Sequence, residues 1–452
     1  MTIAQNRIVT PRREATASQP AVTRDRGIDA VRSTLLVTVV ALHAMMVGVS
    51  ASATGPVLEN ALENQAWFAP VSWLVQVMPL FFVVGGFSSI TQWRGLRARG
   101  TSATAYVRSR IDRLVRPAVA LVTVVGAAHL AMTLAGVPAD IVATAGYRIG
   151  QPMWFLGVYI LCSSLVPVMT RAHERARVAT PLLLLAVVVV VDVVRLSSGI
   201  DAVGFLNLLF VWLLVQQLGF WLADGSVEGL SRSARAVVLG GAFAALLVLT
   251  VGPYPADMLV NLNPPTVCLV VLGVAQTMVF SLLRARFATL AEHPLAGRVV
   301  DALGQRGMTV YLWHMPVLIA LAALLLALQA VAGMPLPEPL SPEWWAGRGI
   351  WLVVVALAVV PVVALFARFE RGRRMPRRAT PPGFAALDTL LGAGGVAIVL
   401  VVGFAVVPAS SALLLLVCAL TGTARIASTL AKSFQGMTRS ALSTDVARRP
   451  DF

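Results

Sequence analysis

The chain has 452 residues, of which 58% are hydrophobic and only 13% are charged, and its formal net charge is +15. This composition excludes an ordinary soluble domain, because the apolar runs recur and are long enough to cross a bilayer. A charge of +15 would suggest nucleic-acid binding in a soluble protein, but here the arginines lie in short loops between apolar runs. The sequence therefore predicts an all-α polytopic membrane protein with no nucleic-acid partner and with its basic loops in the cytoplasm.

The first apolar run carries three ionisable residues on one helix face. Residues 1–27 before it are polar and basic, so we expect a cytoplasmic tail followed by a retained first span rather than a cleaved signal peptide. Asp29, Arg32 and His43 share a face because steps of three and eleven residues complete nearly whole turns. Each ionisable group in a bilayer costs about 2.5–3.5 kcal/mol, so the stripe predicts a wet, functional cavity. The alternative is a helix–helix hydrogen bond for His43 and snorkelling for Arg32.

A glycine pair and a basic run follow in chain order. Gly85–Gly86 lies in FFVVGGF of the second span, where glycine permits the close approach of a helix or a ligand. Before the third span, Arg110, Arg113 and Arg116 recur every three residues on one side of a helix, and Asp112 is expected to point elsewhere. Arginine forks suit phosphate groups, including those of coenzyme A. Simple anchoring by inside-positive charge is the alternative.

Two aromatic patches lie further along the chain. Trp154, in QPMWFL, opens the fourth span at its outer end, where tryptophan is common. Tyr311 and His314, in YLWH, lie at the cytoplasmic start of the ninth span, where a lone interfacial histidine is more often structural than catalytic. The cysteines lie in apolar context and are interpreted as buried packing residues, with no disulfide framework and no metal site.

Apolar runs of bilayer length predict a core of ten spans and one or two extra spans at the C-terminal end. Basic and non-basic loops alternate, which places the N-terminus in the cytoplasm, and the basic C-terminal residues favour an even count of twelve over eleven. The predicted spans are 30–51, 69–91, 114–135, 152–170, 179–196, 203–223, 236–252, 264–283, 307–331, 349–367, 386–407 and 410–430. The predicted regions are a basic tail 1–27, a membrane core 28–370, a basic linker 371–385, the extra spans 386–430 and a polar tail 431–452.

Taken in order, these patches resemble the acyltransferase 3 family of integral membrane acyltransferases. The resemblance covers roughly 24–370 and comprises the D-x-x-R and R-x10-H patterns of the first span, FFVVGGF, R-x-x-R, MWFL and YLWH. Gly85 stands where many members have serine, and residues 155–157 lack the glutamate of a W-S-x-x-x-E subgroup. No esterase-like domain is fused to the core, and the extra spans after 386 lie outside it.

The resemblance implies transfer of an acyl group, often acetyl, from cytoplasmic acyl-CoA to a hydroxyl of a glycan or lipid at the outer face of the cytoplasmic membrane. On the matching positions, His43 would be the catalytic histidine and Arg32 would position it or the donor. Arg110 and Arg113 would hold the coenzyme A phosphates. Direct transfer and a relay through an acyl-enzyme both stay open.

Two other classes of function compete with this interpretation. A transporter or flippase would use the ionisable stripe to line a translocation path, although no paired broken helices are apparent in the sequence. A membrane scaffold would leave the stripe without a role. The acceptor pocket would come from the outer loops 136–151, 253–263 and 332–347, which name neither a sugar nor a lipid. If 386–430 is peripheral, a chain truncated after about residue 380 should retain some activity.

Overall fold

The computed structural model describes residues 25–52, 55–370 and 380–429. The predicted tails at both ends and most of the linker 371–385 lie outside the described residues. Of the residues described, 82% are helical and almost none lie in strands, which confirms the all-α polytopic class. Eleven described helices are long and apolar enough to cross a membrane, and a bent pair with an angle of 82° makes up to twelve.

The elements follow the predicted spans closely. The first half comprises α1 (Arg26–Met46), β1 (Val47–Ser52), β2 (Gly55–Asn60), α2 (Phe68–Val75), α3 (Met78–Ala98), α4 (Ala103–Leu134), α5 (Ala139–Gly150), α6 (Trp154–Arg175), α7 (Ala179–Ser198) and α8 (Asp201–Gly204). The second half comprises α9 (Asn207–Ala223), α10 (Arg232–Val251), α11 (Val267–Glu292), α12 (Pro294–Ala332), α13 (Pro342–Phe366), α14 (Pro382–Val402) and α15 (Val406–Thr421). Short 3₁₀ turns occupy Gln151–Met153 and Ala367–Glu370.

The first span is shorter than predicted. We expected it to reach residue 51, but α1 ends at Met46 and an antiparallel hairpin, β1–β2, follows at once. Val47 and Val49 alternate with small residues and are buried on one face of the hairpin. Valine is β-branched and favours extended backbone, which average hydrophobicity does not reveal.

The outer loop predicted at 136–151 is mostly helical. Val142, Gly146 and Ile149 are buried at a helical spacing in α5, which packs on α4, α12 and α14. Small and apolar residues on one face suit a helix that lies against the bundle, rather than a loop open to solvent.

The extra C-terminal helices pack into the bundle instead of lying outside it. α14 and α15 contact each other, α4 and α6. A Cβ atom on Gly395 would approach Leu416 to 2.8 Å, and one on Gly126 would approach Ala409 to 3.2 Å. Such small residues let helix backbones come close without a side chain between them. The ten-span core and the C-terminal pair therefore share one packed interior.

Polar contacts mark one end of the bundle. Arg94 of α3 pairs with Asp224 at 2.5 Å, and His173 of α6 contacts the same carboxylate at 2.8 Å. Burial alone would raise the pKa of Asp224, but hydrogen bonds from Arg94 and His173 lower it below its usual value. Arg26 at the start of α1 pairs with Asp301 at 2.7 Å. We call this the basic end, and the opposite end, where β1–β2 lies, the hairpin end.

Two large apolar clusters fill the described part of the bundle. Leu36 and Leu114 belong to one of them, and Phe155 belongs to the other. All three also line a cavity that opens between the clusters in the half of the bundle nearer the basic end. The fold therefore places a space between two packed bodies of helices, next to the ionisable stripe of α1.

Candidate active site

The cavity has a volume of about 310 Å³ and is bounded by α1, α3, α4, α6 and α12. Four residues singled out from the sequence line it, namely Arg32, Arg110, Arg113 and Tyr311. Its other polar lining residues are Ser33, Ser88, Ser89, Gln92, Tyr159 and Glu370. The cavity thus brings together one residue of the ionisable stripe, two of the basic run and one of the ninth-span patch.

Arg32 is fixed by the second span. Its Nη2 atom donates to Ser88 Oγ over 2.6 Å, and Ser88 in turn donates to the Val84 carbonyl over 2.9 Å. Ser88 and the Val84 carbonyl are both neutral, so no negative charge in this chain of hydrogen bonds compensates the Arg32 guanidinium at the cavity wall. The serine that holds it directly follows FFVVGGF in the sequence.

The two arginines of α4 that line the cavity, Arg110 and Arg113, also remain free of carboxylates within the described residues. Arg110 donates to Gln92 Oε1 and lies 5.1 Å above the Tyr106 ring. Arg113 is exposed and has neither a hydrogen bond nor an ion pair in the part of the chain that the structure describes. With Arg32, these side chains make the cavity strongly cationic.

Arg116 does not belong to this group. It pairs with Asp112 at 2.5 Å and is absent from the described cavity lining. The expectation that Asp112 points elsewhere is wrong, because side chains four residues apart on a helix are neighbours. Arg116 is therefore neutralised on its own helix and does not join Arg110 and Arg113 in the cavity.

Sequence reasoning missed Glu370, which is buried in the cavity wall. α12 is interrupted at Arg306, where φ is −126° and ψ is 15°. Glu370 accepts from the Met308 and Thr309 amides at 3.2 and 3.0 Å, and from the Thr309 hydroxyl at 2.7 Å. A carboxylate satisfies the free amides where a helix starts and suits its dipole. The only sequence signal is one acid beside the arginines that follow the tenth span.

His43 and His314 form a pair beside the cavity, and neither is among its described lining residues. Their Nδ1 and Nε2 atoms, respectively, are 3.1 Å apart, and their ring centroids are 5.0 Å apart. His314 is fully buried. The interpretation of His314 as a lone interfacial histidine is therefore wrong, because the segment of α12 beyond the break carries it two turns inward against α1.

Tyr311 lies between the cavity and the histidine pair. It lines the cavity, its ring centroid is 5.9 Å from that of His314, and its hydroxyl donates to the Pro152 carbonyl. Leu36 also lines the cavity, seven residues before His43 on the same face of α1. The arginines and the histidines therefore lie along one continuous side of α1.

Two other predicted site residues lie beside the cavity. Asp29 is half-buried in the first turn of α1, one turn before Arg32, and is not among the described lining residues. Trp154 stacks on Trp212 with ring centroids 5.5 Å apart. The residue of MWFL that reaches the cavity is Phe155, whose ring meets Tyr311 at 5.0 Å.

The glycine pair has two different roles. A Cβ atom on Gly86 would lie 2.4 Å from the Gln216 carbonyl oxygen, so Gly86 permits the close crossing of α3 and α9. Gly85 lines the cavity, and a Cβ atom on it would lie 3.5 Å from the Tyr159 ring. Packing therefore requires the second glycine, and the first keeps space open beside Tyr159.

No curated protein and no solved structure matches the chain. The model of the acyltransferase 3 family, described as an acyltransferase domain, matches residues 25–368. The match includes α1 through α13, and with them the arginines and histidines described above. It confirms the resemblance in the sequence motifs. The chain therefore belongs to the acyltransferase 3 family and is a membrane acyltransferase.

Proposed function

We propose that the protein transfers an acetyl or other short acyl group from acyl-CoA to a hydroxyl of a glycan or lipid. The donor enters from the basic end, on the cytoplasmic side of the cytoplasmic membrane, and the acceptor approaches from the outer face. One observation carries this proposal. Arg32, Arg110 and Arg113 line a cavity without a carboxylate partner among the described residues, and Tyr311 of that lining lies next to the pair of His43 and His314.

The arginines suit the anionic end of the donor. Guanidinium groups bind phosphate oxygens through paired hydrogen bonds, and such bonds are stronger than those between neutral groups. Arg113 is exposed and Arg110 has only an amide and a ring as neighbours, so both are available to phosphates at the rim. The thioester then extends past Tyr311 towards the histidines.

The chemistry follows from the position of His43. As the acceptor oxygen bonds to the thioester carbonyl carbon, His43 accepts the hydroxyl proton. The carbon–sulfur bond then breaks, and His43 returns that proton to the departing sulfur, which leaves as a thiol. General-base assistance of this kind contributes about 10²–10⁴-fold. An acyl group held for a time on His43 is the alternative route, because imidazole is also a nucleophile.

The hairpin end provides aromatic surface for an acceptor. The Trp67 and Trp345 rings are 6.0 Å apart, and Trp345 lies 4.8 Å from Trp344. Tryptophan presents an apolar face and a polar edge, which suits partly polar ligands at a membrane surface. These residues support an acceptor at the outer face and leave its chemical identity to experiment.

The experiment that tests this proposal is acyl-CoA consumption by the purified protein in nanodiscs. Acetyl-CoA and a longer acyl-CoA are compared, with wild type beside His43→Ala. We expect slow consumption of the thioester by the wild-type protein. In the variant, the rate of consumption should be lower by about 10²-fold or more. The matched control is His129→Ala, which changes a histidine that packs on Phe404 at the hairpin end.

Two results would contradict the proposal. Wild-type turnover in His43→Ala would remove His43 from the mechanism. If a folded wild-type preparation shows neither consumption of the thioester nor binding of acyl-CoA, acyl-CoA is not the donor.

A further inference from the structure

We infer that His314 is a positioning residue that sets the tautomer of His43, so that Nε2 of His43 is the atom that accepts the proton during transfer. The inference rests on the proposed function, because it specifies which atom of the proposed base reacts.

The first step is the protonation of His314. Its Nδ1 atom lies 2.5 Å from the Tyr311 carbonyl oxygen. A carbonyl oxygen can only accept a hydrogen bond, so Nδ1 of His314 must carry a proton. In a neutral imidazole the other nitrogen is then an acceptor, and Nε2 of His314 presents its lone pair.

The second step is the neutrality of that ring. His314 is fully buried, and neither ring contacts a carboxylate within the described residues. The ionisable groups that line the adjoining cavity include Arg32, Arg110, Arg113 and Glu370, and the Glu370 carboxylate is held by Met308 and Thr309 rather than by either histidine. Burying a cation there without a partner would be unfavourable, and neighbouring cations add to that cost. His314 is therefore neutral.

The unprotonated Nε2 atom of His314 in turn determines where His43 carries its proton. The Nε2 lone pair of His314 faces Nδ1 of His43 at 3.1 Å. Two lone pairs would repel at that distance, so Nδ1 of His43 carries the proton and donates it. Nε2 of His43 then keeps its lone pair. The Val39 carbonyl, one turn earlier on α1, also meets this ring. The Tyr311 carbonyl thus determines, through the ring of His314, which nitrogen of His43 can accept a proton.

The consequence for transfer is a balanced proton path. Nε2 of His43 takes the acceptor's hydroxyl proton while the new carbon–oxygen bond forms. The positive charge on the ring strengthens the hydrogen bond from Nδ1 to His314, because bonds from charged donors are stronger. The same Nε2 proton then goes to the sulfur as the carbon–sulfur bond breaks, and the Nδ1 proton stays in place throughout.

The kinetic test compares two substitutions at one position. The amide oxygen of His314→Gln can accept from Nδ1 of His43, whereas His314→Leu has a similar volume and no acceptor. With acetyl-CoA as donor, we expect kcat to fall about tenfold or more in the leucine variant. The glutamine variant should stay within a few-fold of wild type, and KM for acetyl-CoA should change little in both. A purely packing role for His314 would instead lower both variants alike, which would overturn the inference.

The spectroscopic test does not depend on turnover. The protein has five histidines, so ¹⁵N spectra of histidine-labelled protein in lipid are simple, and His43→Ala assigns the His43 signals. We expect Nδ1 of His43 to be protonated in wild type and in His314→Gln, and a mixture of tautomers in His314→Leu. Protonation at Nε2 in wild type would overturn the inference.

The two tests also separate the inference from the proposed function. An Nδ1-protonated His43 together with full activity in His43→Ala would refute the proposed base and leave the tautomer assignment standing. Activity that requires His43, combined with a His43 tautomer and a kcat that do not respond to His314→Leu, would refute the inference alone.

Discussion

Arg113 and Arg116 lie one turn apart on α4, and their surroundings give them different chemistry. Arg113 lines the cavity without a charged partner among the described residues, whereas Arg116 is paired with Asp112 at 2.5 Å. An arginine already paired with a carboxylate must give up that bond before it can bind a phosphate. Their spacing in the sequence is uniform, so only the neighbouring side chains distinguish them.

This difference leads to a prediction for donor binding. Replacing Arg110 and Arg113 together by alanine should weaken coenzyme A binding about tenfold or more, because two charge-assisted contacts are lost. Arg116→Ala removes the same charge from the same helix and serves as the control, with affinity near that of wild type. Titration calorimetry in nanodiscs measures both. Equal weakening by Arg116→Ala would show that the general positive potential matters, rather than contact in the cavity.

At the residue scale, the sequence predicts which side chains share a face of one helix, but it does not predict which side chains of different helices are in contact. The shared face of Arg32 and His43 follows from helical periodicity alone, and of the two residues Arg32 lines the described cavity. The partner of His43 is 271 residues away, and the contact depends on the break in α12 at Arg306. Glu370 binds the amides that follow that break, and no local sequence pattern predicts such a long-range contact.

At the scale of elements, α14 and α15 pack against the side of α4 that faces away from the cavity. Asp388 of α14 is fully buried and pairs with Arg108 at 3.1 Å. Arg108 also donates to the Ala419 and Leu420 carbonyls at the end of α15, and Asp388 accepts from the Thr423 amide at 2.8 Å. Arg108 projects from the side of α4 away from Arg110 and Arg113. One helix therefore presents arginines to the cavity and an arginine to the C-terminal pair.

We therefore expect truncation after residue 380 to abolish folding and activity, not to spare them. Asp388→Ala should also lower the thermal stability, because breaking a buried pair from one side costs about 3–5 kcal/mol. Asp201→Ala is the control, since Asp201 is 83% exposed and lies 3.6 Å from its arginine. Unfolding followed by tryptophan fluorescence in detergent measures both variants. A truncated protein that is monodisperse and active would show that α14 and α15 are dispensable.

The elements themselves were largely predictable because bilayer length and apolar composition mark them clearly. Several helices begin before their predicted starts, because Ser102, Ser231 and Ser341 each cap a helix with a side-chain oxygen ahead of the apolar run. Errors in the type of element fall at the hairpin end, where β1–β2 and α5 replace a helix end and a loop. Those segments are short and apolar, and tertiary contacts decide their conformation.

At the scale of the whole molecule, its two ends differ in charge and in the kind of surface they offer. The basic end gathers arginines and the cationic cavity, and the hairpin end gathers tryptophans and the strands. Positive charge near short loops favours the cytoplasmic side of a membrane. The proposed direction of transfer depends on this orientation, because acyl-CoA is a cytoplasmic donor.

Cysteine labelling in intact cells tests the orientation. Ala66→Cys lies in an exposed position at the hairpin end, and Ala103→Cys lies in an exposed position at the basic end. A membrane-impermeant maleimide should label the first in intact cells and the second only after permeabilisation. The natural cysteines give little background, because Cys162 and Cys268 are buried and Cys418 is half-buried. The reverse pattern would invert the proposed topology.

The contact between Glu370 and the restart of α12 also bears on how the protein is made. Met308 and Thr309 emerge from the ribosome and enter the membrane before the carboxylate that completes their turn has been synthesised. Until the tenth span has inserted, the segment carrying His314 begins with unsatisfied amides and has no fixed start. The histidine pair is therefore expected to assemble only after residue 370 has been synthesised, so that a nascent chain does not hold the proposed catalytic pair while its membrane insertion is incomplete.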